Sequence, residues 1–563
     1  MIDDIAAHLN TLESVVNTET QGNKIIIKVT INNEEFILLT DFGSNFPIEL
    51  PDIYLKDPSK YGYLPHVCWQ GKVCYNDGEG VSSDLEQPSA IAEYAVNKAI
   101  GTLSIEKNIR EEIFFDEFEG YWSQQNLVQA CYSFFEPDNE LQLLKVPVTK
   151  RDKTPVAFFS DNSEVSPSTD YSFLGKCKNN RTQMYGVYLP LERRVNPPLP
   201  GARININFLD EILRELSTEN TILWEKFLSK RKLPKEALHL IISQPRPKKG
   251  KSLFGVTIPF GLNWLNGRIN EYDRIIKPLK IIRHTPKHLL ERSGGQLNIA
   301  DKKIAIIGCG SIGGRIAELL IMSGIKNLTL IDNDNFSSEN LYRHVLDSTY
   351  IGSKKVVSLE KQLKSRFPYI SINSLVDKVT HLTDSLAIHD VIVDVAGNPT
   401  LSRKLNISHR DMNIEKPTLL ITSWVEPVGL GGHTVISDGR TEGCLHCLFH
   451  RDNSEQLSSI YNFVKENQTV SRNLTGCGGA FTPFSALDST KTAEMATRMI
   501  INALASDVAG YSDLLNYQYW RGDNKDANEA NINTTHWYSD CEYNVSDKVN
   551  AVFSEGCPMC RKK

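Results

Sequence analysis

"KKIAIIGCGSIGGRIAELLIMSG", residues 302–324, sets the architecture of the second half of the chain. A short apolar run with the character of a buried strand leads into the turn GCGSIG, and a helix with apolar spacing follows. The turn matches Gly-x-Gly-x-x-Gly: Gly308 permits the tight bend, Gly310 lets a phosphate approach the backbone, and Gly313 completes the motif. Because the helix presents unpaired N–H groups to an anion, the segment predicts a nucleotide site.

Further strands continue this pattern towards the C-terminus. KNLTLIDND supplies the next strand, and later strands are predicted at DVIVDVAG, PTLLITSW and HTVIS. We therefore expect residues 276–563 to form a doubly wound α/β domain. Asp332 ends the second predicted strand, 19 residues after Gly313, where a carboxylate can bind ribose hydroxyls. These features alone suit NAD as well as ATP.

The first half of the chain is organised differently. An amphipathic helix, alternating strands at KIIIKVTI and EEFILLTDF, and helices from Ile91 onward predict an α+β domain over residues 1–140. Residues 141–275 contain strand-like runs and one helix-like stretch, FLDEILRELSTENTILWEKFLSK. They predict a central α/β linker domain, to which the sequence assigns no chemistry. The expected fold class is therefore multidomain α/β and α+β.

Length and charge narrow the function classes. The 563 residues suit about three or four domains. A net charge of -6 argues against a general nucleic-acid binder, which needs a basic surface to displace counterions. No apolar run approaches the roughly 18 residues of a membrane span. The acidic start MIDDIAAHLNTLESVV lacks the features of a signal peptide, so we expect a cytoplasmic protein.

The cysteines fall into groups. Eleven cysteines, an odd number, predict thiols kept reduced for metal binding or catalysis rather than a disulfide framework. The pairs CLHC and CPMC supply two Cys-x-x-Cys motifs. Four such thiolates suit tetrahedral Zn²⁺ and leave no open position for a substrate, so the site should be structural. Its predicted ligands are Cys444, Cys447, Cys557 and Cys560.

The segment IDNDNFSSENLYRHVLDSTYIGSKK, residues 331–355, resembles the adenylating enzymes of the ThiF/MoeB and ubiquitin-activating family. That family carries D-x-D, then N-L-x-R, then G-x-x-K. The resemblance implies that Asp332 binds the ribose of ATP and that Asn340, Arg343 and Lys355 surround the triphosphate. A hydride-transfer enzyme has no need of these cations, whereas attack of a carboxylate on the α-phosphate brings two anions together. ATP is therefore preferred to NAD.

The chain departs from that family at the magnesium position. The family carries an acidic residue for Mg²⁺ just after the fourth strand, where this chain has Gly397. Asp394 is the nearest carboxylate and becomes the candidate ligand. The resemblance also implies a homodimer in which the partner subunit supplies an arginine from upstream of the glycine loop. Arg283 and Arg292 are available there, and Arg283 is preferred by its distance along the chain.

Cys477 lies in the glycine-rich stretch RNLTGCGGAFTPFSALDSTKTAEMA, just before a helix whose start is predicted at Thr482 and Pro483. A helix N-terminus favours thiolate over thiol, which suits a nucleophile. In ubiquitin-activating relatives a cysteine in this region takes the acyl group from AMP as a thioester. Sulfur-carrier activators have a similar passage with a structural role, so that alternative stays open. Cys541 is the rival nucleophile, and Cys309 is interpreted as a small residue of the glycine loop.

PHVCWQGKVCYNDGEG, residues 65–80, with FPIELPDIYL before it, resembles the active-site region of ubiquitin-conjugating enzymes. On that resemblance Cys74 is the nucleophile. His66, eight residues earlier, stands where the family has an asparagine that donates a hydrogen bond to the oxyanion. A histidine N–H can do the same, although His66 can also be a structural imidazole. Cys68 is expected to be packed.

The whole chain resembles the bacterial fusion of a ubiquitin-conjugating-like domain to a ubiquitin-activating-like domain known from cyclic-oligonucleotide antiphage (CBASS) operons. The resemblance implies that ATP activates the C-terminal tail of a cGAS-like nucleotidyltransferase. The tail would then pass as a thioester through Cys477 and Cys74 to an amine on an acceptor that the sequence does not identify. The alternatives are a sulfur-carrier-protein adenylyltransferase, which has no use for residues 1–140, and a binding scaffold with a decayed site, suggested by Gly397.

Overall fold

The chain forms two compact units, Met1–Thr285 and Pro286–Lys563. The computed structural model describes residues 1–76, 82–125, 127–149, 154–163, 181–198, 202, 204–230, 237–259, 276–380, 384–412, 418–451, 457–474, 480–505, 516–542, 549–550 and 557–560. Within those ranges no helix is both long and apolar enough to cross a membrane.

The first sheet of unit 1 is an antiparallel meander. Its strands pair in chain order: β1 Val15–Gln21, β2 Lys24–Ile31, β3 Glu34–Asp41 and β4 Asp52–Leu55. The alternation of KIIIKVTI in β2 buries every second side chain, because successive side chains of a strand point to opposite faces. Helices α1 Ile2–Leu9 and α2 Pro88–Leu103 contribute apolar side chains to the same core.

The second sheet of unit 1 is mixed. Its strands are β5 Gln129–Ser133, β6 Gln142–Thr149, β7 Ala157–Phe158, β8 Arg181–Pro190, β9 Ala237–Pro245, β10 Lys251–Pro259 and β11 Lys277–Arg283, in the order β6-β8-β9-β10-β11-β5-β7. Strand β5 pairs in parallel with β11 at the centre of this sheet. Strand β5 lies before residue 140 and strand β11 lies after residue 275, yet both belong to this sheet. The predicted linker limits at 140 and 275 therefore do not coincide with the limits of the sheet.

Helices α3 Lys107–Asp116, α4 Phe118–Trp122, α5 Ile206–Arg214 and α6 Thr218–Lys230 accompany this sheet. An aromatic core that includes Phe118, Trp122 and Phe254 joins α4 to the strands. The helix expected across FLDEILRELSTENTILWEKFLSK is wrong in its continuity. The chain breaks between α5 and α6, where Leu216 forms a β-bridge with Leu191 and the Glu215 carbonyl accepts the Glu192 N–H at 2.8 Å.

Unit 2 is the doubly wound α/β domain that the sequence predicts. Its main sheet runs β14-β13-β12-β15-β16-β17-β22-β23, parallel from β14 to β16 and antiparallel beyond. The strands are β12 Lys303–Ile307, β13 Asn327–Ile331, β14 Ser371–Leu375, β15 Val391–Asp394, β16 Leu419–Val425, β17 Gly431–Ser437, β22 Tyr517–Arg521 and β23 Val549–Asn550. The strand order reverses at β12, and the loops after β12, β13 and β15 therefore meet at one edge, where such sheets bind ligands.

The remaining elements of unit 2 surround this sheet. Small hairpins pair β18 Phe449–Arg451 with β19 Leu457–Ser459 and β20 Arg472–Asn473 with β21 Ala480–Phe481. The helices are α7 Pro286–Ser293, α8 Ser311–Met322, α9 Lys355–Arg366, α10 Asp384–Ala387, α11 Pro399–Asp411, α12 Ala486–Ala505, α13 Lys525–Glu529 and α14 His536–Asp540. Helices α8 and α12 share the main apolar core with the sheet.

Candidate functional site

The glycine loop after β12 is shaped by close packing. A side chain at Gly308, whose φ is +91°, would lie 2.8 Å from the backbone of Ala396, and one at Gly313 would lie 1.9 Å from the Gly308 carbonyl oxygen. Gly310 differs, since nothing lies within 4 Å of the corresponding position. The space before Gly310 is thus open at the N-terminus of α8, as a phosphate requires.

Two side chains hold the loop from behind. Asp332 accepts the Cys309 N–H at 2.8 Å and the Asp334 N–H at 2.7 Å. His344 accepts the Leu346 N–H at Nδ1, so its neutral form carries the proton on Nε2 and donates to the Cys309 carbonyl oxygen at 2.8 Å. Burial lowers the pKa of His344, which favours this neutral form. No sequence motif points to His344, because its role depends on a contact with Cys309, 35 residues away in the chain.

The three predicted phosphate-binding side chains have different partners in the structure. Lys355, at the start of α9, forms an ion pair with Asp334 at 3.0 Å, and its side chain is only 10% exposed. Arg343 lies over the Phe484 ring, 4.9 Å from the ring centre to its guanidinium carbon. The Asn340 side-chain oxygen accepts hydrogen bonds from Ser337 and so caps a short turn. Asn340 therefore has a local structural role in the capping box of this turn.

Cys309 itself is fully buried in the loop, in agreement with its interpretation as a small packing residue. Burial and the Asp332 carboxylate raise the pKa of Cys309, while Lys355 opposes that rise. The charges of Asp332 and Lys355 therefore both affect the electrostatic potential at Cys309 in the glycine loop. These residues form one cluster at the carboxyl edge of the sheet.

Asp394 ends β15 beside the same loop and is fully buried. Its Oδ1 accepts the Ala396 N–H at 3.3 Å, whereas Oδ2 has no hydrogen-bond partner among the described residues. Burial raises the pKa of Asp394 to about 6, against smaller opposing effects of Ser402 and Ala396. An orphaned carboxylate oxygen fits one ligand of Mg²⁺, which prefers oxygen ligands and keeps several from water and phosphate. Gly397 adopts φ +67°, a backbone conformation in which an acidic residue at this position would be strained.

The four predicted zinc ligands meet in unit 2. The sulfur atoms of Cys444, Cys447, Cys557 and Cys560 all lie within 4.8 Å of one another, and all four residues are buried. Sulfur separations of 3.5 Å and 3.7 Å from Cys560 approach the spacing of about 3.8 Å that tetrahedral Zn–S bonds of about 2.3 Å imply. The donor set therefore fits Zn²⁺, with no fifth protein ligand or open position required.

Neighbouring side chains support the cysteine cluster. The Asn406 amide donates to Cys444 Sγ at 3.5 Å, which is the outer contact expected of a metal-bound thiolate. Arg410 donates to the carbonyls of Met559 and Thr441 at 3.1 Å and 3.0 Å. Arg410 thus joins the segments that carry the two Cys-x-x-Cys pairs.

The predicted nucleophile Cys477 lies outside the described residues. Its rival Cys541 is only 4% exposed, so it cannot receive a protein tail without rearrangement. The helix after Cys477 begins at Ala486 rather than at Thr482 or Pro483. Its start is set by Ser485 and Asp488, which exchange hydrogen bonds of 2.7 Å and 3.2 Å between side chain and backbone.

In unit 1, Cys74 is exposed at the end of a short hairpin. Its N–H donates to the His66 carbonyl at 2.7 Å, and Val67 bridges to Val73. Burial raises the pKa of the Cys74 thiol, the nearby Cys68 and Glu117 charges add to the rise, and Lys72 opposes it. In the resting enzyme Cys74 is therefore a neutral thiol, and Lys72 partly offsets the effects that disfavour its thiolate.

Cys68, which the sequence pattern predicts to be packed, is instead half-buried. It lines a cavity of about 290 Å³, together with aromatic and proline side chains such as Trp69, Tyr121 and Pro197. The contact between Cys68 and Lys72, a 2.9 Å backbone hydrogen bond, closes the tip of the hairpin. Cys68 is thus the second thiol near Cys74 rather than a core residue.

His66 is held by Tyr121 and Glu117, neither of which belongs to a sequence motif. It adopts φ +60°, and its N–H donates to the Tyr121 hydroxyl at 2.5 Å. Its Nδ1 lies 3.1 Å from Glu117 Oε1, and Tyr121 donates to Glu117 Oε2 at 3.0 Å. The hydrogen bond to Glu117 raises the pKa of His66. No local pattern near His66 points to Glu117 or Tyr121, because both arrive through the tertiary fold.

The two arginines proposed for a partner's site differ in their surroundings. Arg283, at the end of β11, forms an ion pair with Glu119 and donates to the Lys251 carbonyl, and its side chain is 16% exposed. Arg292 lies on α7 of unit 2 and is exposed. Arg283 is therefore already engaged within unit 1, whereas Arg292 is accessible.

Two family models match the chain: Prokaryotic E2 family B over residues 9–130 and the ThiF family over residues 284–541. The chain is 32% identical over 165 residues to the sulfur carrier protein ThiS adenylyltransferase of Escherichia coli, covering 29% of this chain and 63% of that relative. The chain is similar to the crystal structure of E. coli MccB with ATP, at 20% identity over 47% of this chain and 68% of that chain, with a TM-score of 0.33.

Relatives that match both halves are more extensive. The ATP-dependent ubiquitin transferase-like protein Cap2 of Vibrio cholerae is 30% identical over 520 residues, covering 83% of this chain and 86% of that relative. The protein of the same name from Pseudomonas aeruginosa is 24% identical over 479 residues, covering 80% and 82%. This chain belongs to the family of ATP-dependent ubiquitin transferase-like Cap2 enzymes, with an E2-like domain at its N-terminus and a ThiF adenylation domain at its C-terminus.

Proposed function

We propose that this enzyme activates the C-terminal carboxylate of a protein with ATP, carries it as a thioester first on Cys477 and then on Cys74, and joins it to an amine. In the first step the carboxylate attacks the α-phosphate, forming an acyl-adenylate and releasing pyrophosphate. The thiol of Cys477 then displaces AMP, and the thiol of Cys74 displaces that of Cys477. An amine finally displaces Cys74 and forms an amide.

The observation that carries the proposal is the pairing of two sites in one polypeptide. Unit 2 has an open glycine loop with Lys355 held beside it, and unit 1 has the exposed thiol of Cys74 next to His66. An adenylation site makes an activated carboxyl group, and a thioester preserves that activation until an amine arrives. A sulfur-carrier activator has no use for the second site.

Charges at the glycine loop suit the first step. Three glycines, Gly308, Gly310 and Gly313, would hold the phosphates against the N-terminus of α8. Lys355 and Arg343 would offset the charge that grows on the leaving pyrophosphate. Asp332 keeps lone pairs for ribose hydroxyls, since each carboxylate oxygen can accept more than one hydrogen bond. Asp394 would supply one oxygen ligand to Mg²⁺, which neutralises phosphate charge when bound.

The substrate follows from the resemblance to CBASS conjugation enzymes. On that basis the activated tail is the C-terminus of a cGAS-like nucleotidyltransferase, and the acceptor contributes an amine. A homodimer would allow the partner subunit to contribute an arginine to each adenylation site. The accessible Arg292 now suits that role better than Arg283, which is paired with Glu119.

Separate variants test the division of labour. Cys74→Ala should retain ATP–pyrophosphate exchange and abolish conjugates, whereas Arg343→Ala should lower both. Cys477→Ala should still form and release AMP but load nothing on Cys74. Loss of exchange in Cys74→Ala, normal loading in Cys477→Ala, or a thiocarboxylated tail as the product would each contradict the proposed relay.

A further inference from the structure

We propose that Glu117 makes His66 the general base of the ligation step, so that Cys74, His66 and Glu117 act as nucleophile, base and positioning residue. This inference rests on the proposed function, because it concerns the discharge of the Cys74 thioester. It assigns His66 a role opposite to the oxyanion donor that the sequence suggests. It also gives the second sheet of unit 1 a supporting part, because that sheet holds helix α4 beside His66.

The tautomer of His66 carries the argument. Glu117 is ionised and can only accept, so the proton of the 3.1 Å contact belongs to His66 Nδ1. Neutral His66 then has its lone pair on Nε2 and can take a proton there, but it has no Nε2–H to donate to an oxyanion. The same carboxylate stabilises the imidazolium that forms when Nε2 gains a proton.

The backbone places His66 opposite the nucleophile. The Cys74 N–H donates to the His66 carbonyl at 2.7 Å, so the two residues face each other across the hairpin. Tyr121 accepts the His66 N–H and donates to Glu117, which connects the backbone of His66 to the carboxylate that binds its ring. These contacts also hold His66 at its positive φ, a conformation that few side chains adopt unaided.

Glu117 and Tyr121 stand on a rigid support. Glu117 precedes α4, and Tyr121 lies within it. The Trp122 indole N–H donates to the Leu279 carbonyl at 3.0 Å, and the ring centres of Phe118 and Phe254 lie 4.9 Å apart. Glu119 also accepts the Leu253 N–H at 2.7 Å. The second sheet of unit 1 therefore fixes α4, and α4 presents the positioning carboxylate to the Cys74 hairpin.

The charged and titratable groups around the His66–Glu117 pair come from two elements. From the α3–α4 side they are Asp116, Glu117 and Tyr121, and from the hairpin side they are Cys68, Lys72 and Cys74. His66 lowers the pKa of Glu117, and Asp116 opposes that change. Burial raises the pKa of Cys74, and Lys72, which is paired with Asp52 at 2.6 Å, opposes that rise and so favours departure of the thiolate.

The proposed step balances without another reactant. The amine nitrogen attacks the thioester carbonyl carbon, and the proton that it sheds goes to His66 Nε2. The C–N bond forms, the C–S bond breaks, and the electron pair stays on the Cys74 sulfur. The imidazolium then returns its proton to that thiolate, leaving an amide, a free thiol and neutral His66.

Discharge of the loaded enzyme tests the inference. The full chain is purified with the co-expressed tail bound to Cys74, ATP is removed, and release to free lysine is followed from about pH 5 to about pH 8. Glu117→Gln should load Cys74 normally but discharge at least about 10-fold more slowly at about pH 8. The midpoint of its rate–pH curve should move to lower pH, because His66 loses the charge that raises its pKa. His66→Gln should lose the inflection. Glu117→Asp, which restores a carboxylate, should recover part of the rate.

A matched control separates charge from position. Glu112→Gln removes an exposed carboxylate from α3 and should leave rate and profile unchanged. Normal loading with an unchanged profile in Glu117→Gln would overturn the inference while leaving the relay intact. If wild-type Cys74 never carries the tail, the relay and the inference both fall. Poor loading in Glu117→Gln but not in Glu117→Asp would place Glu117 in transfer rather than discharge, and would also overturn it.

Discussion

Asp394 is a buried carboxyl group that the surrounding residues compensate poorly. One of its oxygens has no hydrogen-bond partner within the described part of the chain, and burial raises its pKa to about 6 from an ordinary value of 3.8. A carboxyl group whose folded pKa is raised costs no stability below its unfolded pKa and costs progressively more as the pH rises to the folded value. The cost persists at neutral pH, which makes sense if a cation or phosphate-bound water is the missing partner.

Asp394→Asn should therefore stabilise the empty enzyme at neutral pH while impairing its activity. The shift of about two pKa units corresponds to at most about 3 kcal/mol of unfolding free energy at about 1.4 kcal/mol per unit. The gain should be small near pH 4 and grow towards pH 6, as measured by thermal unfolding. ATP–pyrophosphate exchange at limiting Mg²⁺ should fall at least about 10-fold.

The exposed Asp377→Asn serves as control and should change neither quantity. Destabilisation by Asp394→Asn, with exchange unchanged, would show that the carboxylate is a structural group and not a ligand.

Local motifs explain which site residues the sequence could identify. Gly308, Asp332 and Lys355 follow from short spacings around one loop, and the structure places them together. His344 and Glu117 act through contacts with residues far away in the chain, to Cys309 and His66 respectively. Such contacts leave no periodic or spaced pattern, so residue types alone could not reveal them.

At the scale of elements, the cysteine cluster brings together two Cys-x-x-Cys pairs that are far apart in the chain. A structural Zn²⁺ contributes about 10 to 16 kcal/mol of binding free energy in small peptides, and unit 2 carries its ligands in buried positions. Cys560→Ser should therefore abolish stoichiometric zinc, measured by metal analysis, and lower the melting temperature of the full chain. Chelation of the wild type should have the same effect on melting.

Cys541→Ser is the matched control for this element. Cys541 is buried in the same apolar cluster but lies outside the quartet, so its replacement should leave the zinc content unchanged. A Cys560→Ser protein with normal melting and an unchanged zinc content would contradict a zinc site formed by these four cysteines.

The ion pair between Arg283 and Glu119 of α4 predicts a role for Arg283 within unit 1 rather than in a partner's adenylation site. Because Arg283 pairs with Glu119 in the first turn of α4, Arg283→Ala should leave ATP–pyrophosphate exchange near the wild-type rate and slow discharge from Cys74. Arg292→Ala should reduce exchange if the partner's arginine comes from α7, with the exposed Lys287→Ala on the same helix as control. Loss of exchange in Arg283→Ala would restore the original assignment.

Element types were easier to predict than their limits. The strands β2 and β12 follow from alternation and from an apolar run before glycine, and both are present. The single helix expected over residues 208–230 fails because a β-bridge at Leu216 competes with helical hydrogen bonds. The second sheet of unit 1 takes β5 and β11 from outside the predicted linker, since strand pairing joins segments that no local signal connects.

At the scale of the whole molecule, each unit carries one part of the proposed chemistry. Unit 2 has the adenylation loop and the cysteine cluster, and unit 1 has the Cys74 hairpin on a sheet that also supports α4. The sequence assigned residues 141–275 no chemistry, because a supporting sheet has no motif of its own. In the structure, Phe254 of that region packs against Phe118 of α4, next to the Glu117 carboxylate that contacts His66.

The most direct test of the relay is the mass of Cys74 after turnover. The full chain, co-expressed with the genes that flank it, is incubated with ATP and Mg²⁺ and analysed without reductant by intact mass and peptide mapping. The account predicts an ATP-dependent adduct on Cys74 that thiol reagents remove and that Cys477→Ala lacks. If ATP–pyrophosphate exchange with the co-expressed tail proceeds normally and Cys74 remains unmodified, the thioester relay is contradicted.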